Sequence, residues 1–159
     1  MATVLIVYYS RTGNTEKMAL AVAEGAKQVD ETRVIVKKAA DTSLEDLLKA
    51  DGIIMGSPTY YGLMSATLKA LLDESVKIHG KLEGKVGAAF TTTGGVAGGA
   101  ETTILSILEA MLVHGMIVQG RANGKHYGAA AVGSPNKEEL ESCKALGKRV
   151  AILVKKLKG

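Results

Sequence analysis

Ser10-Arg11-Thr12-Gly13-Asn14-Thr15 joins two segments of different periodicity. Before it stands the apolar run Val4-Leu5-Ile6-Val7-Tyr8-Tyr9, rich in the β-branched and aromatic residues that suit a buried strand. After it, Met18, Val22, Gly25 and Val29 recur at helical spacing. The hexapeptide is therefore a strand-to-helix turn. The unpaired N–H groups of the helix start, with the positive end of its dipole, make a ready anion site. Ser10, Thr12 and Thr15 add hydroxyl donors, and Gly13 lets the backbone fold closely round a phosphate. Spacing alone leaves open an ordinary capped helix.

The totals narrow the class. A chain of 159 residues suits one domain, here residues 1–159, with a sizeable core. Its 47% apolar content argues against disorder, and 19 glycines against 2 prolines point to tight turns rather than a linker. No apolar run is long enough to cross a bilayer, and no basic segment leads into an apolar one at the N-terminus. The lone Cys143 excludes an intrachain disulfide, so the expected location is cytoplasmic. The formal charge of +4 is spread along the chain, and its densest group, Lys155, Lys156 and Lys158, reads as the solvated face of a terminal helix. Without interleaved aromatics, this is not a nucleic-acid surface.

Further along, Thr32-Arg33-Val34-Ile35-Val36-Lys37 alternates as an edge strand would. Thr42 with Glu45 predicts a capping box opening a short helix through Leu44, Leu47 and Leu48. Gly52-Ile53-Ile54-Met55-Gly56-Ser57 is a short apolar strand, ended by Pro58, and its character predicts helices on both sheet faces. A helix follows with Met64, Leu68, Leu71 and Leu72 on one side. Val86 to Thr91 is the fourth strand, residues 101–114 form a helix with Ile104, Leu108 and Met111 inward, and Met116 to Gln119 is the fifth strand. Gly120 to Val132 is a glycine- and alanine-rich stretch. The last helix starts at Ser134-Pro135, or at Asn136 with Glu139, and carries Leu140, Cys143, Val150, Val154 and Leu157.

Five strand–helix units in alternation, joined by right-handed crossovers, predict a doubly wound parallel α/β sheet. Ligands in that architecture sit beyond the carboxyl ends of the strands. Three turns of unusual composition would crowd that rim, at residues 10–15, 58–62 and 91–99. Familiar alternatives fail: neither the G-x-G-x-x-G nor the P-loop register occurs, and no G-x-S-x-G elbow is present. His79, His114 and His126 lack short-range partners, so no metal site is expected.

Ser10-x-Thr12-Gly13-Asn14-Thr15 after the first strand resembles the FMN-phosphate loop of the flavodoxin family. Gly56-Ser57-Pro58-Thr59-Tyr60-Tyr61-Gly62, Phe90-Thr91-Thr92-Thr93-Gly94, His114-Gly115-Met116 and Tyr127-Gly128-Ala129 are most similar to the WrbA-type NAD(P)H:quinone oxidoreductases. The resemblance implies a three-layer, flavodoxin-like, five-stranded parallel sheet in the order 2-1-3-4-5, with FMN at the point where strand order reverses. It implies phosphate contacts from Ser10, Arg11, Thr12, Gly13, Asn14 and Thr15. It implies a flavin-ring loop of Pro58, Thr59, Tyr60, Tyr61 and Gly62, and a loop of Thr91, Thr92, Thr93, Gly94, Gly95 and Val96 against the ring's polar edge. His114 matches a histidine reaching the same site, and with Tyr61 it is the candidate for orienting an acceptor or moving a proton.

The implied activity is two-electron reduction of a quinone by NAD(P)H through FMN, in a homo-oligomer such as a dimer or tetramer. The alternative is a flavodoxin-type one-electron carrier serving a redox protein. Thr12 and short segments after the second and fifth strands favour the carrier, whereas the basic charge opposes the usual basic partners of that class.

Overall fold

The computed structural model describes all residues 1–159. Its elements are β1 (Ala2–Tyr8), α1 (Asn14–Lys27), β2 (Thr32–Lys38), α2 (Leu44–Lys49), β3 (Gly52–Pro58), α3 (Ala66–Glu74), β4 (Val86–Thr93), α4 (Ala100–Val113), β5 (Ile117–Val118), β6 (Ala129–Val132) and α5 (Lys137–Lys158). All strand pairs are parallel, and the order is β2-β1-β3-β4-β5. This is the doubly wound sheet that the alternating pattern predicts. β1, β3 and β4 are central and almost wholly buried, which explains their unbroken apolar character. β2 is an edge strand and half-buried.

The sheet separates two apolar layers. One joins Val4, Ile6, Ile54 and Phe90 to α1 and α5; the other joins Leu5, Val7, Ile53 and Met55 to α3 and α4. Between α1 and α5 the backbones nearly touch. A Cβ at Gly25 would fall 1.9 Å from the Lys144 carbonyl oxygen, and one at Gly147 would fall 1.9 Å from that of Val22. No side chain fits there, so the two glycines fix how closely these helices approach.

Three local expectations change. Ser43, not Thr42, caps α2: its hydroxyl accepts from the Asp46 amide, and the Asp46 carboxylate accepts from the Ser43 amide. The Thr42 hydroxyl turns back to donate to the Lys38 carbonyl instead. The fifth strand position is filled by two pieces, β5 and β6, both paired with β4. Between them residues 119–128 leave the sheet, and the Gly-Ala composition of residues 120–132 hides the second piece. Met64 and Val29 lie just outside α3 and α1, whose ends fall inside the apolar spacing. Of the two possible starts of α5, the structure takes Asn136 with Glu139 as a capping box.

Candidate functional site

The turn after β1 is built for an anion. Gly13 caps α1 at φ 96° and ψ −10°, a left-handed conformation, and open space surrounds the position of a Cβ there. Its amide donates to the Ser10 hydroxyl at 3.1 Å. No side chain caps α1, and the amides of Asn14, Thr15 and Glu16 have no backbone acceptor. Three donors and the helix dipole therefore converge on one point. Thr15 is buried with its hydroxyl 2.9 Å from that of Thr92. Only one of these two O–H groups can serve the pair, so the other remains to meet a ligand.

The second wall comes from the turn after β3. Tyr60 and Leu63 exchange backbone hydrogen bonds of 3.0 and 3.1 Å, and between them Tyr61 at φ 51° and Gly62 at φ 76° are both left-handed. This is the tight two-residue turn that favours glycine. A chain of hydroxyls ties it to the sheet. The Thr91 hydroxyl donates to the Ser57 carbonyl at 2.6 Å, so the Thr59 hydroxyl is the donor in its 2.9 Å contact with Thr91. The Tyr60 ring stands edge-on to Tyr9 at 6.3 Å. Burial, and then Tyr9, raise the Tyr60 pKa, and Arg11 partly opposes them. The third wall follows β4, where the amides of Gly94, Gly95 and Val96 lack backbone acceptors.

These walls enclose an open cleft of about 460 Å³, lined by Arg11, Thr12, Asn14, Thr15, Pro58, Thr59, Tyr60, Thr92, Thr93, Gly94 and Gly133. No carboxylate lines it. All but Gly133 belong to the residues that the resemblance singles out. Ser10 and Gly13 do not line it and stand behind it, joined by the hydrogen bond from the Gly13 amide to the Ser10 hydroxyl. Thr91 lies beneath, fully buried, while Tyr61, Gly62, Gly95 and Val96 sit at the rim, with Tyr61 and Val96 strongly exposed.

His114 is not in the cleft. It ends α4, whose 14 residues lead away from the rim at about 1.5 Å each, so it lies roughly 20 Å off, near the start of β4. There the amide of Gly84 donates to the carbonyl of Gly115. The Ser75 hydroxyl donates to the Leu72 carbonyl, and so it accepts from His114 Nε2–H at 2.7 Å. Nδ1 is left buried without a partner. Burial, then His79, depress the His114 pKa.

Sequence reasoning missed two contributors. Gly133, in the β6–α5 turn, closes the cleft, and its amide donates to the Thr93 carbonyl at 2.8 Å. Reading Ala129 to Val132 as a strand would have put this turn on the same rim. Tyr9, which its apolar neighbours mark as strand packing, instead supports Tyr60.

A parallel sheet in this order, with a donor-rich cleft where strand order reverses, defines the flavodoxin-like class of FMN-binding α/β proteins. The chain belongs to the NADPH-dependent FMN reductase family, whose profile matches residues 2–128. It is 42% identical to a flavodoxin of Aquifex aeolicus, over 95% of this chain and 86% of that one. It is 38% identical to an NAD(P)H dehydrogenase (quinone) of Archaeoglobus fulgidus, over 99% of this chain and the whole of the relative. That alignment spans 192 positions, so the archaeal relative carries insertions that this chain lacks. Among solved structures, a flavodoxin-type, WrbA-like protein from Agrobacterium tumefaciens superposes with a TM-score of 0.83 at 28% identity, covering 98% of this chain and 99% of its own.

Proposed function

We propose that the chain acts as one FMN-dependent domain that transfers two electrons from NAD(P)H to a quinone. The observation that carries this reading is the distribution of unused donors: amides 14–16 and 94–96 have no backbone acceptor, Asn14, Thr15 and Gly94 of these residues line the cleft, and no carboxylate does. Such a cleft fits a phosphorylated ring with a polar edge. Asn14, Thr15 and Glu16 would hold the phosphate through their amides, with the Thr12 hydroxyl and the charge of Arg11 beside it. Gly94, Gly95 and Val96 would donate to the ring's polar edge, and the Tyr60 ring would cover one face.

When bound, FMN supplies the redox chemistry, passing electrons between donor and acceptor. The chain positions, solvates and shields. It needs no nucleophile, and no cysteine, serine, lysine or carboxylate lines the cleft. The exposed Tyr61 and Val96 leave the outer face of the site open to a flat acceptor, and Tyr61 would orient it. A flavodoxin-type carrier is the second reading, favoured by one observation: the chain lacks the insertions of the quinone-dehydrogenase relative. Purified protein loaded with FMN is expected to oxidise NADPH or NADH continuously when benzoquinone is present. Absence of turnover, with electron exchange to a redox protein retained, would shift the assignment to the carrier.

A further inference from the structure

The flank of the sheet beyond β5 carries a second cleft, of about 280 Å³, that the proposed chemistry does not use. Lys148, Arg149 and Lys156 of α5 face it, together with Gln119, which follows β5, and an apolar floor of Ile152 and Leu153. The contrast within α5 is informative. Lys144 meets Glu24 and Glu141, Lys155 meets Glu31, and Lys158 meets Asp51. The three cations facing the cleft make neither an ion pair nor a side-chain hydrogen bond, and no carboxylate lines it.

Arg149 is half-buried beside Lys148 in the lining, and its burial, then the like charge of Arg121, hold its pKa below the ordinary value. A partly desolvated guanidinium beside a second cation is costly unless an anion meets it. Arginine's fork suits a phosphate. The volume lies just below the usual range of small-molecule pockets, which starts at about 300 Å³, so a full dinucleotide is too large.

We propose that this cleft binds a phosphate- or pyrophosphate-bearing metabolite no larger than a mononucleotide, with Arg149, Lys148 and Lys156 holding the anion and Ile152 and Leu153 meeting its apolar body. The site is separate from the FMN cleft and does not depend on the redox reading. Full-length protein saturated with FMN, so that the α1 anion site is blocked, is titrated calorimetrically with pyrophosphate and, separately, with ADP at constant ionic strength. Saturable binding is expected, weakened about tenfold or more in Arg149→Gln, with the flavin absorbance unchanged. The surface double variant Lys148→Gln/Lys156→Gln, at exposed or half-exposed positions, checks the result independently of any folding defect at Arg149. Tighter binding of ADP than of pyrophosphate identifies a nucleotide-like body, and equal binding identifies the bare phosphate group. Equal heats from sulfate or chloride at matched ionic strength, or unchanged affinity in both variants, would overturn the proposal.

Discussion

The carboxyl and amino ends of the same sheet treat polar groups in opposite ways. At the carboxyl end, the amides of residues 14–16 and 94–96 and at least one threonine hydroxyl are left without a protein acceptor, and Asn14, Thr15, Thr92 and Gly94 among them line one cleft. At the amino end the charged and backbone groups around Asp51 and Lys85 are paired, although Thr32 Oγ1 and His114 Nδ1 are buried there without partners. Asp51 accepts from the Thr3 amide at 2.8 Å and meets Lys158 at 3.0 Å, while the Lys85 ammonium donates to the carbonyls of Leu48 and Ala50. His114 donates to Ser75. Buried polar groups normally find partners, so a concentration of unmet donors marks the end where a ligand belongs. Substitutions at the two ends should therefore separate into those that change flavin binding and those that change only stability.

The largest effect is expected from Thr12→Glu. Thr12 is exposed, so the fold should persist, but a carboxylate would sit among donors meant for a phosphate. FMN affinity should fall by about a hundredfold or more, read by flavin fluorescence quenching, with the melting temperature of the flavin-free protein little changed. Gly62→Val comes next. It forces a β-branched residue to φ 76°, with its Cβ 3.2 Å from the Thr102 hydroxyl. About 1–3 kcal/mol of stability should be lost in urea titration, and FMN should bind several-fold more weakly because the Tyr60 turn is disturbed.

Asp51→Ala probes the other end. It strands the Thr3 amide, and denaturant titration near neutral pH should show a loss of about 1–3 kcal/mol with FMN affinity unchanged. Burial pushes the Asp51 carboxyl up, but the Thr3 amide and Lys158 outweigh it, leaving the pKa below its ordinary value. Its contribution is thus present above about pH 3.9 and fades as pH falls through the folded value, so wild type and variant should converge in acid. His114→Gln is expected to have the smallest effect. Burial and His79 depress the His114 pKa, so the unfolded chain takes up a proton first as pH falls below about 6.5. Wild-type stability should decline from there to the folded pKa, and the variant should lose that slope while keeping its flavin affinity. A large loss of flavin affinity in this variant would undo the separation of the two ends.

Most of this division is legible in the chain. The order of strands and helices follows from apolar runs alternating with helical spacing, because burial on both sheet faces imposes those patterns. Three of the four turns lining the cleft announce themselves through small and hydroxyl residues next to strand ends. The fourth, at Gly133, is silent because β6 is Ala129-Ala130-Ala131-Val132, too small-sided to register as a strand beside β5. His114 shows the converse failure. Local sequence around it resembles a flavin-contacting segment, yet its place is set by the length of α4, which ends at the far edge of the sheet. The shift of the α2 cap from Thr42 to Ser43 is of the same kind: both sequences offer a hydroxyl and an acid three residues on, and the exit path of β2 chooses between them.

The central claim is that free amides at the start of α1 grip a phosphate dianion. Titrating flavin-free protein with FMN and with riboflavin, which lacks only that phosphate, tests it directly. FMN should bind about a hundredfold more tightly or better, and Thr12→Glu should erase most of the difference. Equal affinities for the two flavins in the wild-type protein would contradict the account.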